Sequence, residues 1–175
     1  MRTLVHLRHG ERQPGGPHLT ERGARLAKEV GRRLAHFDRV LTSPKPRAVE
    51  TAEAMGYAVE GSLPALGGLP GELERWVDRA YPPRFADYLR FVDEVAEARV
   101  QARRLADLAA VELERLGDGG RLLFVSHGGV VELGAVGALG AAVAEWGPVL
   151  GYLEGVELER DRATWTRGAP VRAIR

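Results

Sequence analysis

Two histidines stand at positions where chemistry on a bound anion is possible. His9 comes just after the apolar, strand-like stretch 3–7, and His127 comes just after the apolar stretch 121–125. Each is followed by a glycine, and glycine lets a ligand approach the backbone closely. Imidazole is partly neutral near pH 7, so a histidine can attack phosphorus without an auxiliary base.

The neighbouring residues add the positive charge that a phosphoryl group requires. Arg8 precedes His9, and Arg47 lies in a polar segment that follows the strand-like residues 39–42. An arginine guanidinium is a planar fork that binds phosphate oxygens in bidentate fashion. Gly128 and Gly129 open a predicted helix, whose free N–H groups and positive dipole end would face an anion. These residues together predict a phosphoryl-binding site.

Buried strands that alternate with amphipathic helices must position these residues. We predict a three-layer α/β/α sandwich with a mainly parallel central sheet, built as one domain over residues 1–175. The pattern predicts strands at 3–7, 39–42 and 121–125, a short strand at 57–59, a loop at 61–71, a long broken helix at 85–116, and a terminal hairpin at 156–159 and 163–166. Ligands bind beyond the carboxyl ends of parallel strands, so we expect His9, Arg47 and His127 to converge on one crevice.

The composition excludes several classes of protein. With 45% hydrophobic residues the chain can form a real core, and a net charge of +1 gives no electrostatic footprint for nucleic acid or an anionic membrane. The chain has no cysteine, which excludes a disulfide, a thiolate nucleophile and a thiolate metal site. No carboxylate lies at a spacing that would complete a metal site with His6 and His9, so neither a metal nor a cofactor is expected. No apolar run approaches the roughly 20 residues of a membrane span and no secretory leader is evident, so we expect a cytoplasmic protein.

Four segments resemble, in order, the motifs of the histidine phosphatase superfamily, which has the phosphoglycerate mutase-like fold. The first is Leu-Arg-His-Gly-Glu at 7–11, and the second is Leu-Thr-Glu-Arg-Gly at 19–23. The third is Thr-Ser-Pro-Lys-Pro-Arg-Ala-Val-Glu-Thr-Ala at 42–52, and the fourth is Val-Ser-His-Gly-Gly-Val at 125–130. Arg-His-Gly alone is a weak signal, whereas four matches in family order are specific.

The resemblance implies roles for the matching residues. His9 would carry the phosphoryl group as a phosphohistidine intermediate. Arg8, Arg47 and His127 would hold that group and disperse its developing charge, with Gly128 contributing to phosphate binding. The substrate would be a small phosphorylated molecule or a phosphorylated protein, and the oligomeric state is left open.

The chain departs from the family pattern where many members place an acid that protonates the leaving oxygen. The segment 61–71 contains no acid, and the nearest candidates are Glu72 first and Glu11 second. An alkyl phosphate benefits from a general acid by about 10²–10⁴-fold, whereas phosphohistidine or an acyl phosphate leaves more readily. The missing acid therefore raises the expectation of such a labile substrate.

Three functions remain open at this point. The leading hypothesis is a phosphatase that hydrolyses a phosphomonoester, a phosphohistidine or an acyl phosphate through His9. The alternative is a phosphoglycerate mutase, although family mutases use longer insertions than this chain supplies. A second alternative is a non-catalytic phosphate-binding regulatory protein of the same fold.

Overall fold

The computed structural model of the protein describes residues 1–80 and 82–172, apart from the side chain of Ala80. It contains six strands: β1 Arg2–Arg8, β2 Arg39–Thr42, β3 Gly61–Ser62, β4 Arg121–Ser126, β5 Gly155–Asp161 and β6 Thr164–Val171. The α-helices are α1 Glu21–Gly31, α2 Pro46–Ala54, α3 Gly71–Ala80, α4 Phe85–Glu94, α5 Ala96–Glu114 and α6 Val130–Leu139. Two 3₁₀ helices cover Pro64–Leu66 and Gly140–Trp146.

The strands form a single sheet in the order β3-β2-β4-β1-β5-β6. The pairs β3–β2, β2–β4 and β4–β1 are parallel, whereas β5 runs antiparallel to both β1 and β6. This arrangement confirms the predicted α/β fold with a mainly parallel sheet. The predicted terminal hairpin is β5 and β6, which extend the sheet at one edge.

Helices cover both faces of the sheet, as the alternation of side chains along each strand requires. On β4, Leu122 and Phe124 point into a core formed with helices α3 to α6. Leu123 and Val125 of the same strand point into a second core formed with α1 and α2. The strand is therefore buried on both sides, which explains its continuous apolar sequence.

The start of helix α1 follows its sequence signals closely. The Thr20 side chain accepts a hydrogen bond from the Gly23 N–H at 2.9 Å, which makes Thr20 the predicted N-cap. The helix ends at Gly31, although the apolar spacing in the sequence continues to Phe37. Gly31 lies against helix α2, where a Cβ would come 2.1 Å from the Met55 carbonyl oxygen, so only glycine allows the two helices this close.

Two sequence predictions need correction between the second strand and the long helices, and a third is confirmed. Residues 57–59 do not form a strand; the third strand is Gly61–Ser62, which pairs with β2. The predicted loop at 61–71 contains that strand and a 3₁₀ turn, and helix α3 follows it without having been predicted. The predicted break in the helix over 85–116 falls at Val95, between α4 and α5. None of the helices within the described residues is long and apolar enough to cross a membrane.

Candidate active site

The carboxyl ends of β1, β2 and β4 bring the predicted residues to one edge of the sheet. Arg8 on β1 is in register with Ser126 on β4, so the residues that follow them, His9 and His127, emerge side by side. The centroids of the two imidazole rings lie 5.1 Å apart. This position confirms the expectation that the two histidines emerge at the same edge of the sheet, because neighbouring parallel strands end there.

The hydrogen bonds of the His9 imidazole assign its tautomer. Its Nδ1 lies 2.7 Å from the Gly10 carbonyl oxygen, which accepts the Nδ1 proton. Its Nε2 therefore carries a lone pair, and it accepts a hydrogen bond from Arg47 Nε at 3.1 Å. Burial lowers the pKa of His9 to about 4, with the positive charges of Arg47 and Arg8 acting in the same direction. His9 is thus neutral at physiological pH.

The imidazole of His127 is held by the Ser43 hydroxyl. Its Nε2 lies 2.7 Å from the Ser43 hydroxyl oxygen, which accepts the backbone N–H of Lys45 at 3.1 Å. The Ser43 hydroxyl can then donate its proton to Nε2, which places the His127 proton on Nδ1. That Nδ1 is buried and has no hydrogen-bond partner among the described residues. Burial, followed by the proximity of His9, lowers the pKa of His127 to about 2.

Arg8 is fixed on three sides. Its Nη1 donates to the Leu150 carbonyl oxygen at 2.7 Å, and its guanidinium carbon lies 4.8 Å from the centre of the Tyr152 ring. A Cβ on Gly128 would come 3.3 Å from that same guanidinium carbon, so glycine lets Arg8 lie against the backbone. Its buried Nε has no hydrogen-bond partner within the described part of the chain and is available to an anion.

Arg47 lies in the first turn of α2, where the motif residue Thr51 connects it to the first histidine segment. The Thr51 hydroxyl donates to the Arg47 carbonyl oxygen at 2.6 Å and accepts the Gly10 N–H at 2.9 Å. This pair of hydrogen bonds joins the start of α2 to the residue after His9. Through these two hydrogen bonds the third motif places Arg47 beside His9.

The amino end of α6 supplies fewer free donors than the sequence predicts. The Gly129 N–H donates to the Glu132 carboxylate at 2.7 Å, so it is not free for a phosphate. Gly128 lines a cavity of about 80 Å³ together with Arg47 and His127. Gly128 therefore remains the candidate phosphate contact just before this helix. The expectation that the Gly129 N–H is free to face an anion is wrong.

The carboxylate predicted first as the leaving-group acid does not reach this cavity. The Glu72 side chain is 82% exposed, pairs with Arg75 and lines a separate groove beside α5. The acids that do line the cavity are Glu74 and Asp78, one helical turn apart on α3. The geometry thus favours Glu74 or Asp78 over Glu72.

Glu11, the second candidate acid, is engaged elsewhere. Its carboxylate accepts a hydrogen bond from Arg22 at 2.6 Å, and it lines a groove of about 660 Å³ on the α1 side of the molecule. Tyr152 separates that groove from the two histidines, since its ring lies 5.6 Å from the His9 ring. Sequence reasoning missed Tyr152 because nothing near it matches a motif.

The arrangement can accept a tetrahedral anion and transfer its central atom to nitrogen. Nε2 of the neutral His9 ring accepts a hydrogen bond from Arg47, and two buried nitrogens, Arg8 Nε and His127 Nδ1, have no hydrogen-bond partner among the described residues. Donors held in place around developing negative charge stabilise a phosphoryl-transfer transition state. The described residues contain no group of three or more His, Asp or Glu side chains that could hold a metal ion.

Comparison with known structures shows the same fold in several phosphoryl-handling enzymes. A phosphoserine phosphatase from Entamoeba histolytica aligns with a TM-score of 0.71 at 19% identity, over 95% of this chain and 94% of that chain. A phosphoglycerate mutase from Bacillus anthracis aligns with a TM-score of 0.67 at 19% identity, over 98% and 92%. A mycobacterial glucosyl-3-phosphoglycerate phosphatase aligns with a TM-score of 0.62 at 22% identity, over 99% of each chain.

The sequence itself identifies the family. No curated protein sequence matches the chain significantly. The sequence model of the histidine phosphatase superfamily (branch 1), however, matches residues 4–167, which include all four motifs. The chain therefore belongs to the histidine phosphatase superfamily.

Proposed function

We propose that this protein is a phosphatase that hydrolyses a phosphomonoester through a phosphohistidine intermediate on His9. The observation that carries the proposal is the hydrogen bonding of His9. Its Nδ1 faces the Gly10 carbonyl oxygen, which assigns the proton to that nitrogen, and its Nε2 lone pair accepts from Arg47, whose guanidinium a bound phosphoryl group would engage instead. The depressed pKa of His9 supports it, because the neutral, nucleophilic form persists well below pH 7.

The reaction then takes two steps. In the first, the Nε2 lone pair forms a bond to phosphorus, the ester P–O bond breaks, and the leaving oxygen takes up a proton. In the second, water attacks phosphorus and gives a proton to the carboxylate that protonated the leaving oxygen, the N–P bond breaks, and inorganic phosphate leaves while His9 returns to its neutral form. Arg8, Arg47 and His127 hold the phosphoryl oxygens in both steps.

We assign the proton donor for the leaving oxygen to Glu74. Its carboxylate lines the same cavity as Arg47 and His127, and its negative charge acts on Arg47. Because Glu74 is exposed, the leaving group lies at the solvent side of the cavity. This supports a small phosphorylated molecule or an exposed phosphorylated side chain of a protein as the substrate. The cytoplasmic location expected from the sequence stays a prediction.

A panel of substrates tests the proposal. The purified protein is incubated with alkyl and aryl phosphomonoesters, a phosphohistidine peptide and an acyl phosphate, and phosphate release is measured. A separate reaction contains 3-phosphoglycerate with a bisphosphoglycerate primer. Phosphate release that depends on His9 supports a phosphatase. Formation of 2-phosphoglycerate without net phosphate release would instead identify a mutase, and phosphate binding without turnover of any compound would identify a binding protein.

A further inference from the structure

Helix α6 carries a buried carboxylate in its first turn. Glu132 is 1% exposed, and its neighbours Val131 and Leu133 are fully buried. A buried carboxylate loses its hydration, which is unfavourable unless hydrogen bonds replace it. Burial raises the pKa of Glu132, while backbone hydrogen bonds and the positive charge of Arg8 act in the opposite direction. An apolar side chain at this position would leave two backbone N–H groups without acceptors, so the role of the carboxylate depends on what these two groups belong to.

The two oxygens of Glu132 join two segments that are distant in sequence. Oε2 accepts the Gly129 N–H at 2.7 Å, and Oε1 accepts the Leu150 N–H at 3.1 Å. Gly129 follows the second histidine segment, whereas Leu150 lies in the loop that leads to β5. The carboxylate therefore fixes the distance between the start of α6 and this loop.

Both segments are in direct contact with Arg8. The Leu150 carbonyl oxygen accepts a hydrogen bond from Arg8 Nη1 at 2.7 Å. The peptide group before Leu150 therefore binds Glu132, and the peptide group after it binds Arg8. On the other side, the guanidinium lies against Gly128, the residue before Gly129. Arg8 is thus held between two backbone segments that Glu132 ties together.

We propose that Glu132 is a positioning residue of the phosphoryl site. It sets the positions of Gly129 and Leu150, and through them it aims the guanidinium of Arg8 at the phosphoryl group. It acts through these backbone groups and does not bind the substrate. This inference rests on the proposed function, because it assigns Arg8 to the binding of phosphate.

The test compares two buried glutamates at opposite ends of the sheet. Glu132→Gln keeps the shape of the side chain but replaces one acceptor oxygen with an NH₂ donor, which then faces a backbone N–H. The control is Glu112→Gln: Glu112 is 4% exposed and pairs with Arg39, at the start of β2 and away from the crevice. For each variant we measure the melting temperature and the inhibition constant of inorganic phosphate against hydrolysis of an aryl phosphate.

We expect both variants to lose stability, but only Glu132→Gln to change phosphate inhibition. Its inhibition constant for phosphate should rise by about tenfold or more, since a hydrogen bond to a charged group is lost. In an Arg8→Ala background the same substitution should have a much smaller effect, because Glu132 acts through Arg8. An inhibition constant within twofold of the wild-type value, or full additivity with Arg8→Ala, would overturn the inference.

A measurement on the wild-type protein keeps the inference testable if Glu132→Gln does not fold. Amide spectra are recorded during titration with inorganic phosphate. The Gly129 and Leu150 amides should shift with one common dissociation constant, whereas the Gly119 amide at the opposite end of the sheet should not move. A Leu150 amide that stays unchanged at saturating phosphate contradicts the inference and leaves the proposed function intact. Wild-type protein that neither binds phosphate nor releases it from any ester would overturn both.

Discussion

On the strand-end side of the cleft, His9 and His127 are buried, Arg8 is half-buried, and all three are held by hydrogen bonds. The α3 side, which carries Glu74 and Asp78, is exposed to solvent. Each residue of the first side has a partner that fixes its tautomer or its orientation. The acids of the second side have exposed side chains on a single helix. The comparison indicates that recognition of the phosphoryl group is built into the sheet, while the choice of leaving group depends on α3.

The largest effect is expected on the strand-end side, from removal of the nucleophile. In His9→Ala, turnover should fall by at least about 10⁴-fold, because no other side chain replaces the Nε2 lone pair. Binding of inorganic phosphate, measured by calorimetry, should stay nearly unchanged, since Arg8, Arg47 and His127 remain. His36→Ala is the control, because the His36 side chain is 85% exposed. Substantial activity in His9→Ala would contradict the assignment.

The next effect concerns the binding of phosphate on the same side. Arg47→Ala should weaken inhibition by inorganic phosphate by about 10²–10³-fold, because Arg47 is one of two guanidinium groups at the site. Arg90→Ala, which removes an exposed arginine on α4, should leave the inhibition constant as it is. If phosphate inhibits Arg47→Ala as strongly as the wild type, Arg47 does not belong to the site.

The α3 side is tested by a pair of glutamates two residues apart. Glu74→Gln should lower kcat for an alkyl phosphate by about 10²-fold, because a poor leaving group needs a proton donor. The same variant should hydrolyse p-nitrophenyl phosphate at nearly the wild-type rate, since this leaving group departs without a proton. Glu72→Gln is the matched control. A loss of kcat for the alkyl phosphate in Glu72→Gln alone would instead identify Glu72, the acid that the sequence predicts, as the proton donor.

Glu72 and Glu74 also show which part of the site cannot be predicted from the sequence. The strands β1, β2 and β4 were predictable because each is a buried apolar run that ends in a polar motif. Glu72 lies next to the family segment, but residues two apart on a helix project to different sides, so only the position of α3 reveals Glu74. Helix α3 has a detectable signal, since Leu73, Trp76 and Val77 recur at helical spacing between charged residues.

Other parts of the site depend on contacts that no local pattern contains. The predicted strand at 57–59 is apolar because Tyr57 and Val59 pack against the core beneath α1 and α2, not because it pairs with β2. Tyr152 reaches His9 from a loop that is distant in sequence. Glu132 has a signal, since it is a charged residue within an apolar helix, but its partner Leu150 is visible only in the folded chain.

The smallest effect is expected on stability as a function of pH. Burial lowers the pKa of His6 to about 3 and that of His9 to about 4, against 6.5 in the unfolded chain. Between the folded-state and unfolded-state pKa values, the unfolded state therefore binds more protons than the folded state. The contribution of these histidines to the free energy of unfolding is complete above pH 6.5 and is lost as the pH falls. His6→Gln should reduce the slope of unfolding free energy against pH between pH 4.5 and 5.5 by about 1.4 kcal/mol per unit. Denaturant unfolding measures the slope, and a slope equal to that of the wild type would contradict the prediction.

The central claim is that the buried side of the cleft transfers the phosphoryl group to His9, and trapping the intermediate tests it most directly. The enzyme is quenched during turnover of a phosphorus-labelled monoester, digested under alkaline conditions and mapped by mass spectrometry. The account predicts a label on the peptide that contains His9, stable in base and lost in acid, because phosphohistidine has this chemistry. A label on Ser43, Ser126 or another hydroxyl residue, or turnover with no label while His9→Ala stays active, would contradict it.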